Sequence, residues 1–490
     1  MPDNISFNTI PMDIRVPGQY VEVDNINAVR GLPSMTRRIL VLGNRLASGS
    51  APALSLRRVN SGSEAAGYFG RGSVLHEMLR AMRAADKSSE IWAMALDDLS
   101  GGVAATKTVT LTGPATASGT ISLYLNGQRL QVGVSVGDTA STVATAIAAA
   151  VNAYTDGPCT ATAAAGVATL VARHKGLFTN DIDVRANYYP DERLPAGLTL
   201  VAADGAAGTG NPDVATALAA ITTESFYTIV TPYTDTANVV LVEAELGSRW
   251  GGMDMRTGHA FGAYRGTQSA LATWGSARNS PHDSFMGVKS SPTPTYVWAA
   301  VMASVCEMSG SIDPARPFQT LVLPGVMAPA QADQWTWTER NLLLRDGIST
   351  FTVDQGGNVL LERAVTTYQT NAYGIEDVSY LDLEPKWTVD YMRYAFRARV
   401  ALRYPRHKLA DDGTAFDPGQ AVVTPNMIRG ELLDVGRQLE TAGLLENFAG
   451  FKKDLRVVRS MTDRNRVNAL LPPDLVNQFR VFAASVQFIL

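Results

Sequence analysis

The order of apolar and polar positions separates this chain into stretches of different periodicity. Residues 39–42, Ile-Leu-Val-Leu, form an unbroken apolar run closed by Gly43, the pattern of a strand buried on both faces of a parallel sheet. Within 63–85, Leu75, Met78, Leu79 and Met82 recur at helical spacing, which predicts one helix. Residues 91–96 predict a second buried strand, so a strand, helix, strand unit opens an α/β domain.

The rhythm breaks at Asp97-Asp98-Leu99-Ser100-Gly101-Gly102. From there to about Gly210 the chain is rich in Ala, Thr, Gly and Val, and its strands alternate. Residues 120–125 and 129–134 flank Asn126-Gly127, a strong hairpin signal because Asn-Gly accepts the positive φ angles of a type I′ turn. Asp138 or Thr139 is placed to cap a helix running to about Ala153, with Val143, Ile147 and Val151 on one side. Further strands are expected around 159–163, 167–172, 182–186 and 198–201, giving a small β-rich module inserted into the α/β domain.

The α/β pattern then resumes, with strands expected at 227–232, 260–264, 285–288 and 318–324. Helices are expected at 238–250, 296–308 and 332–346, and a hairpin turns about Gly356-Gly357-Asn358. A third unit begins near Tyr380. It holds a helix from Trp387 to Tyr404, a helix opened by Thr424-Pro425, and strands at 455–459 and 467–471. The last stretch, 479–490, alternates Phe482, Ala484, Val486, Phe488 and Leu490 against Val481, Ala483, Ser485, Gln487 and Ile489, and has no charge after Arg480. A strand this apolar needs cover, in its own domain or in the sheet of another copy. Val16–Asp24 alternates Tyr20 and Glu22 against Val21 and Val23, and the preceding residues read as an extended arm.

Composition narrows the function classes. The 490 residues suit two to four domains. Charged residues are 18% and the net charge is -4, so neither nucleic acid nor an anionic membrane is an expected partner. Cys159 and Cys306 are the only cysteines, too few for a disulfide framework or a Cys-rich metal site. Without a basic-then-apolar leader or a membrane-length apolar run, the expectation is a soluble protein made in a reducing cytosol.

No catalytic constellation emerges. His76, His174, His259, His282 and His407 show no metal-binding spacing. Asp254 near His259, and His282-Asp283 beside Ser284, are sequence neighbours at chance level. No cofactor is expected, and no catalytic or metal residue is assigned. Lys452, Lys453 and Arg456 form a modest basic cluster, read either as a solvated turn or as a contact site, the turn being the plainer reading.

Several stretches carry a family resemblance. Val16-Pro17-Gly18-Gln19-Tyr20-Val21-Glu22-Val23-Asp24 resembles the arm that opens contractile-tail sheath proteins of bacteriophages, and 39–43 resembles their first core strand. Tyr380-Leu381-Asp382, Tyr391-Met392-Arg393 and 403–413, Arg-Tyr-Pro-Arg-His-Lys-Leu-Ala-Asp-Asp-Gly, resemble the C-terminal region in Mu-like phages. The resemblance runs in order over nearly the whole chain. It implies an α/β fold with a subtilisin-like core sheet flanked by helices, an inserted β-rich domain and an α+β C-terminal domain bearing strand-donating terminal arms. The expected divisions are an arm at 1–35, the core at 36–103 and 204–379, an outer inserted domain at 104–203, a C-terminal domain at 380–478 and an arm at 479–490. This chain has no Gly-Thr-Ser nucleophile motif, so the implied role is a scaffold and not a peptidase.

The same resemblance implies strand donation between subunits by Val16, Tyr20, Val21, Val23, Val481, Phe482, Val486, Phe488 and Leu490. The acceptor is a hairpin at or near 455–459 and 467–471. It implies a homo-oligomer around an inner tail tube, with baseplate and tail terminator proteins as further partners, in the virion after assembly in the host cytoplasm. Lys452, Lys453 and Arg456 are the expected tube contacts. The competing readings are an α/β hydrolase or peptidase using His259 or His282, and another virion component such as a tail tube or capsid protein.

Overall fold

The computed structural model describes residues 15–21, 31–417 and 419–489. Val23 and Leu490, both expected to donate strands, lie outside those residues. The chain divides into two compact units, one of residues 37–313 with 318–383, the other of 1–36, 314–317 and 384–490.

The larger unit is built on an eight-stranded sheet. It opens with β1 (Arg38–Asn44) and an edge strand β2 (Leu56–Arg58), then α1 (Gly62–Phe69), α2 (Val74–Ala85) and β3 (Glu90–Leu96). Ile39, Leu40, Val41 and Leu42 are all fully buried, as an apolar run in a covered parallel strand should be. Burial of each such side chain is worth about 1.5–3 kcal/mol. The single helix expected over 63–85 is two helices. Gly70 and Gly72 have positive φ, and Ser73 caps α2 by accepting from the His76 N–H.

Between β3 and the next core strand the chain builds two smaller sheets. Their strands are β4 (Thr106–Thr112), β5 (Gly119–Leu125), β6 (Gln128–Val134), β7 (Cys159–Ala164), β8 (Val167–Ala172), β9 (Val184–Ala186) and β10 (Thr199–Asp204). The antiparallel orders are β10-β4-β8-β7 and β6-β5-β9. Helix α3 (Ala140–Ala153), capped by Thr139, lays Val143, Ile147 and Val151 into a core with Val109, Leu111, Ile121, Leu123 and Leu170. Asn126 and Gly127 both have positive φ at the β5–β6 turn.

The main sheet resumes with α4 (Ala215–Ala220), β11 (Thr228–Val230), α5 (Thr236–Trp250), β12 (His259–Arg265) and α6 (Gln268–Ser276). There follow β13 (Asp283–Val288), α7 (Thr295–Ile312), α8 (Trp337–Arg345), β14 (Ile348–Val353) and β15 (Val359–Arg363). The order is β15-β14-β13-β12-β11-β1-β3-β2, parallel from β14 to β3, with an antiparallel strand at each edge. The strand expected at 318–324 is absent. Residues 320–323 instead run beside β15 irregularly: Thr320, with positive φ, and Leu323 donate to the Leu361 and Val359 carbonyls, the Leu361 N–H donates to the Leu321 carbonyl, and Val322 makes a single antiparallel bridge to Leu360. Helix α8 starts at Trp337, not 332, since Thr336 forms a capping box with Glu339 there.

The smaller unit packs α9 (Leu383–Arg403) against α10 (Pro425–Thr441) and α11 (Phe448–Asp454). Thr424 caps α10 with Pro425 in its first turn. Three two-stranded ladders complete it: β16 (Lys408–Leu409) with β17 (Val422–Val423), β18 (Leu445–Glu446) with β21 (Asp474–Leu475), and β19 (Arg456–Arg459) with β20 (Val467–Leu470). The segments expected to be strands, 16–24 and 479–490, are described only in part. Residues 15–21 and 477–489 belong to no ladder among the described residues. A lone strand has no partner for its N–H and C=O groups, so alternation by itself does not make a sheet.

Candidate functional site

In an open α/β sheet, ligands bind where the strand order reverses, beyond the carboxyl ends of the strands. Here β3 lies on one side of β1 and β11 on the other, so that crevice opens beyond Asn44 and Val230. It is filled. The Tyr233 hydroxyl donates to Asn44 Oδ1 at 2.6 Å, and Asn44 Nδ2 donates to Asp98 Oδ1 at 2.7 Å. His174, from the loop after β8, places Nδ1 2.9 Å from the same Asp98 oxygen. Its Nε2 accepts from the Val74 N–H at 3.3 Å, so Nδ1 carries the proton toward Asp98. Phe178 covers Tyr233 edge-on with ring centroids 6.0 Å apart. The space left beside His174 and Phe178 is about 10 Å³, at or below what one water needs.

The other pairing that suggested chemistry is also structural. His259 Nε2 and Ser284 Oγ lie 2.9 Å apart, wholly buried on adjacent strands β12 and β13. Asp283, one residue earlier on β13, faces the opposite side of the sheet from Ser284. Burial, with the Glu243 carboxylate beside it, pushes Asp283 well above the usual carboxylate range, and Thr367 donates to it at 2.6 Å. Asp254 pairs with Arg256 instead of a histidine. Among the described residues, neither pairing brings an acid, a base and a nucleophile together at an accessible point.

The smaller unit presents a different surface. Val467, Ala469 and Leu471 face Met392, Phe396 and Val400 of α9 and Ile428 and Leu432 of α10 across an open apolar groove of about 430 Å³. The β19–β20 hairpin forms one wall, in the register Arg456↔Leu470 to Arg459↔Val467, and Val458 and Leu470 of the hairpin are exposed. It is two-stranded among the described residues, so edges of the ladder remain for addition. Val457 and Val467 rest on the core of α9 and α10, and Arg459 ties the hairpin to Asp411 at 2.9 Å.

Those expected donor residues that are described are exposed. Phe482, Val486 and Phe488 are 80%, 88% and 78% exposed, and Val481 is similar. Val16 and Val21 are exposed, and the Tyr20 hydroxyl bends back to the Val16 carbonyl at 3.1 Å. Lys452 and Lys453 end α11 and Arg456 opens β19, all three at the surface. Arg429 donates to the Lys452 carbonyl at 2.7 Å, which fixes the end of that helix. The structure does not gather arms, hairpin and basic cluster into one pocket. Sequence reasoning missed the groove, whose lining comes from three separated segments, and the role of His174.

Models of the phage tail sheath family match three successive stretches: the β-sandwich domain at residues 100–201, the central domain at 207–367 and the C-terminal domain at 376–489. The chain is 43% identical over 487 residues to the Mu-like prophage FluMu tail sheath protein of Haemophilus influenzae, covering 99% of this chain and 100% of that one. Among solved structures, the sheath tail protein of Desulfitobacterium hafniense matches with a TM-score of 0.51 at 15% identity, over 94% of this chain and 97% of that one. The sheath tail protein of Listeria innocua matches at 0.50 and 13% identity, over 92% and 94%. At those identities the structural likeness speaks for the fold alone.

Proposed function

This chain belongs to the phage tail sheath family, a structural and not an enzymatic one, and we propose that its exposed arms lace neighbouring subunits into a contractile sleeve around an inner tube. The observation that carries this reading is the pairing of opposites within one unit. An alternating apolar segment lies uncovered at 481–489, and a two-stranded hairpin stands over an open apolar groove. A neighbour's arm added to the β19–β20 ladder would gain its missing hydrogen bonds and bury its apolar face. Hydrogen bonds at about 0.5–1.5 kcal/mol each do not offset ordering at about 1–2 kcal/mol per residue. Burial of Phe482, Val486 and Phe488, at about 1.5–3 kcal/mol each, decides the balance.

The larger unit is the body that such a mesh would carry. Its six parallel strands support the subtilisin-like reading of the core, and the hydrogen-bonded Tyr233, Asn44, Asp98 and His174 beyond β1 fit a scaffold role. On this reading residues 104–203 face outward and the arms 1–35 and 479–490 cross between subunits. Lys452, Lys453 and Arg456 touch the tube, and the polymer is bounded by baseplate and terminator proteins. Subunits assemble in the host cytoplasm into a virion component that contracts by rigid-body rearrangement and drives the tube through the host envelope.

Deletion of 481–490 tests this. The expected product is a folded monomer that forms no long cylinders by electron microscopy. Normal cylinders from that truncation would remove the C-terminal arm from the mechanism.

A further inference from the structure

The C-terminal arm does not leave its subunit freely. The chain is tied down by the β18–β21 ladder, then by the Val476 N–H donating to the Leu444 carbonyl at 3.3 Å. Gln478 Nε2 donates to the Ala315 carbonyl at 3.3 Å. Two residues on, the Arg480 guanidinium donates to Glu384 Oε2 at 2.9 Å. Glu384 is fully buried in the first turn of α9, and the Arg480 side chain is 13% exposed. Immediately beyond, Val481 and Phe482 are each 80% exposed. The boundary between held and free chain therefore falls at one ion pair.

We infer that the Arg480–Glu384 pair is the anchor of the arm, fixing where it departs and which of its faces turns toward the acceptor subunit. The inference rests on the strand-donation reading above. Side chains two apart in a strand share a face. Gln478 and Arg480 both reach back to their own subunit, and Phe482, Ala484, Val486 and Phe488 continue that parity. Shifting the arm by one residue relative to the anchor would turn every apolar side chain to the other face, while shifting it by two would restore them. The pair is also a firm root. Peeling the arm back past Arg480 would break a charge-assisted hydrogen bond to a buried carboxylate, so it is opposed. Along α9, Lys386 lies 2.8 Å from Asp390 and Arg393 3.8 Å from it. Arg480 is a positioning residue and makes no contact with a partner itself.

The test uses the full chain. Insertion of one alanine between Arg480 and Val481 should abolish long cylinders, and insertion of two should restore them, with unchanged monomer unfolding in both. Arg480→Ala should raise the concentration needed for polymerisation about tenfold or more, and Arg480→Lys should recover most of it. Hydrogen exchange at 481–489 in polymer and monomer reports whether the arm is engaged. Equal behaviour of the two insertions, or unimpaired assembly by Arg480→Ala, would overturn the anchor. Donation itself is judged separately, by the truncation.

Discussion

The Tyr296 hydroxyl donates to Glu77 Oε2 at 2.7 Å, joining two residues 219 apart in sequence. Asn126, at the tip of the β5–β6 turn, reaches both, at 2.9 Å to Tyr296 and 3.2 Å to Glu77. Glu77 is buried, and desolvation pushes its carboxyl up to about 7, against the hydrogen bonds from Tyr296 and Asn126 and the pull of Arg80. Asp156 pushes in the same direction as burial.

This group sets a pH dependence. The folded state holds the Glu77 proton more tightly than the unfolded chain, which releases it near the ordinary value of 4.5. Stability from this carboxyl is therefore full below about 4.5, falls as pH rises toward about 7, and is level above that. The total is about 3 kcal/mol at most, at about 1.4 kcal/mol per unit. Glu77→Gln keeps the shape and removes the titration. Thermal unfolding of the variant should vary less than the parent between pH 5 and 7, and a parallel pair of curves would contradict this account.

His174→Ala should open the crevice between β1 and β11. It removes the acceptor for the Val74 N–H and one donor to Asp98, while Asn44 and the Lys175 N–H still hold that carboxylate. The expected loss is about 1–3 kcal/mol in denaturant unfolding. Cylinder formation should survive, because the arms and the hairpin are untouched.

Ala469→Asp places a charge in the apolar groove at a position exposed in the single chain. Monomer stability should change by about 0.5 kcal/mol or less, as for other surface substitutions. Polymerisation should be strongly impaired, because a neighbour's arm would bury that carboxylate without a partner. Sedimentation of the variant beside the parent measures it, and equal polymer yield would place the arm elsewhere.

Lys452→Glu with Lys453→Glu should weaken association with the purified inner tube while sparing sheath self-assembly. The parental interaction should weaken as salt rises, since exposed charges are screened over about 8–10 Å at physiological ionic strength. Cosedimentation at two salt concentrations reads both effects.

Local chemistry was legible where the signal is local. Asn126-Gly127 gave the β5–β6 hairpin, Thr424-Pro425 the start of α10, and the runs at 455–459 and 467–471 the strands β19 and β20, whose pairing was implied only by the family resemblance. The helix expected over 63–85 splits because Gly70 and Gly72 adopt φ values that its apolar spacing does not report. The stretch 318–324 has strand-like side chains but only a one-bridge, irregular pairing with β15, which the positive φ at Thr320 breaks and the side-chain pattern does not report. His174 had no distinguishing neighbours in sequence. Its partners Asp98 and Val74 lie 76 and 100 residues away, so only the folded chain brings them together. The same holds for Arg480 and Glu384, 96 residues apart.

The excursion between β3 and β11 begins and ends side by side, where Val103 bridges Thr209 in antiparallel fashion. The two crossing segments lie about 5 Å apart there, and side-chain bonds such as Asn126 to Glu77 and Arg71 to Asp156 hold the excursion to the core as well. A foreign domain with adjacent ends would splice there without stretching the scaffold, turning the particle into a display platform. The graft would carry obligations at every place where the excursion touches the core, Asn126 beside Glu77 and Tyr296 among them. Removing His174 and Phe178 bares Asn44, Asp98 and Tyr233, so the replacement must supply its own stopper or leave a wet hole in the middle of the subunit.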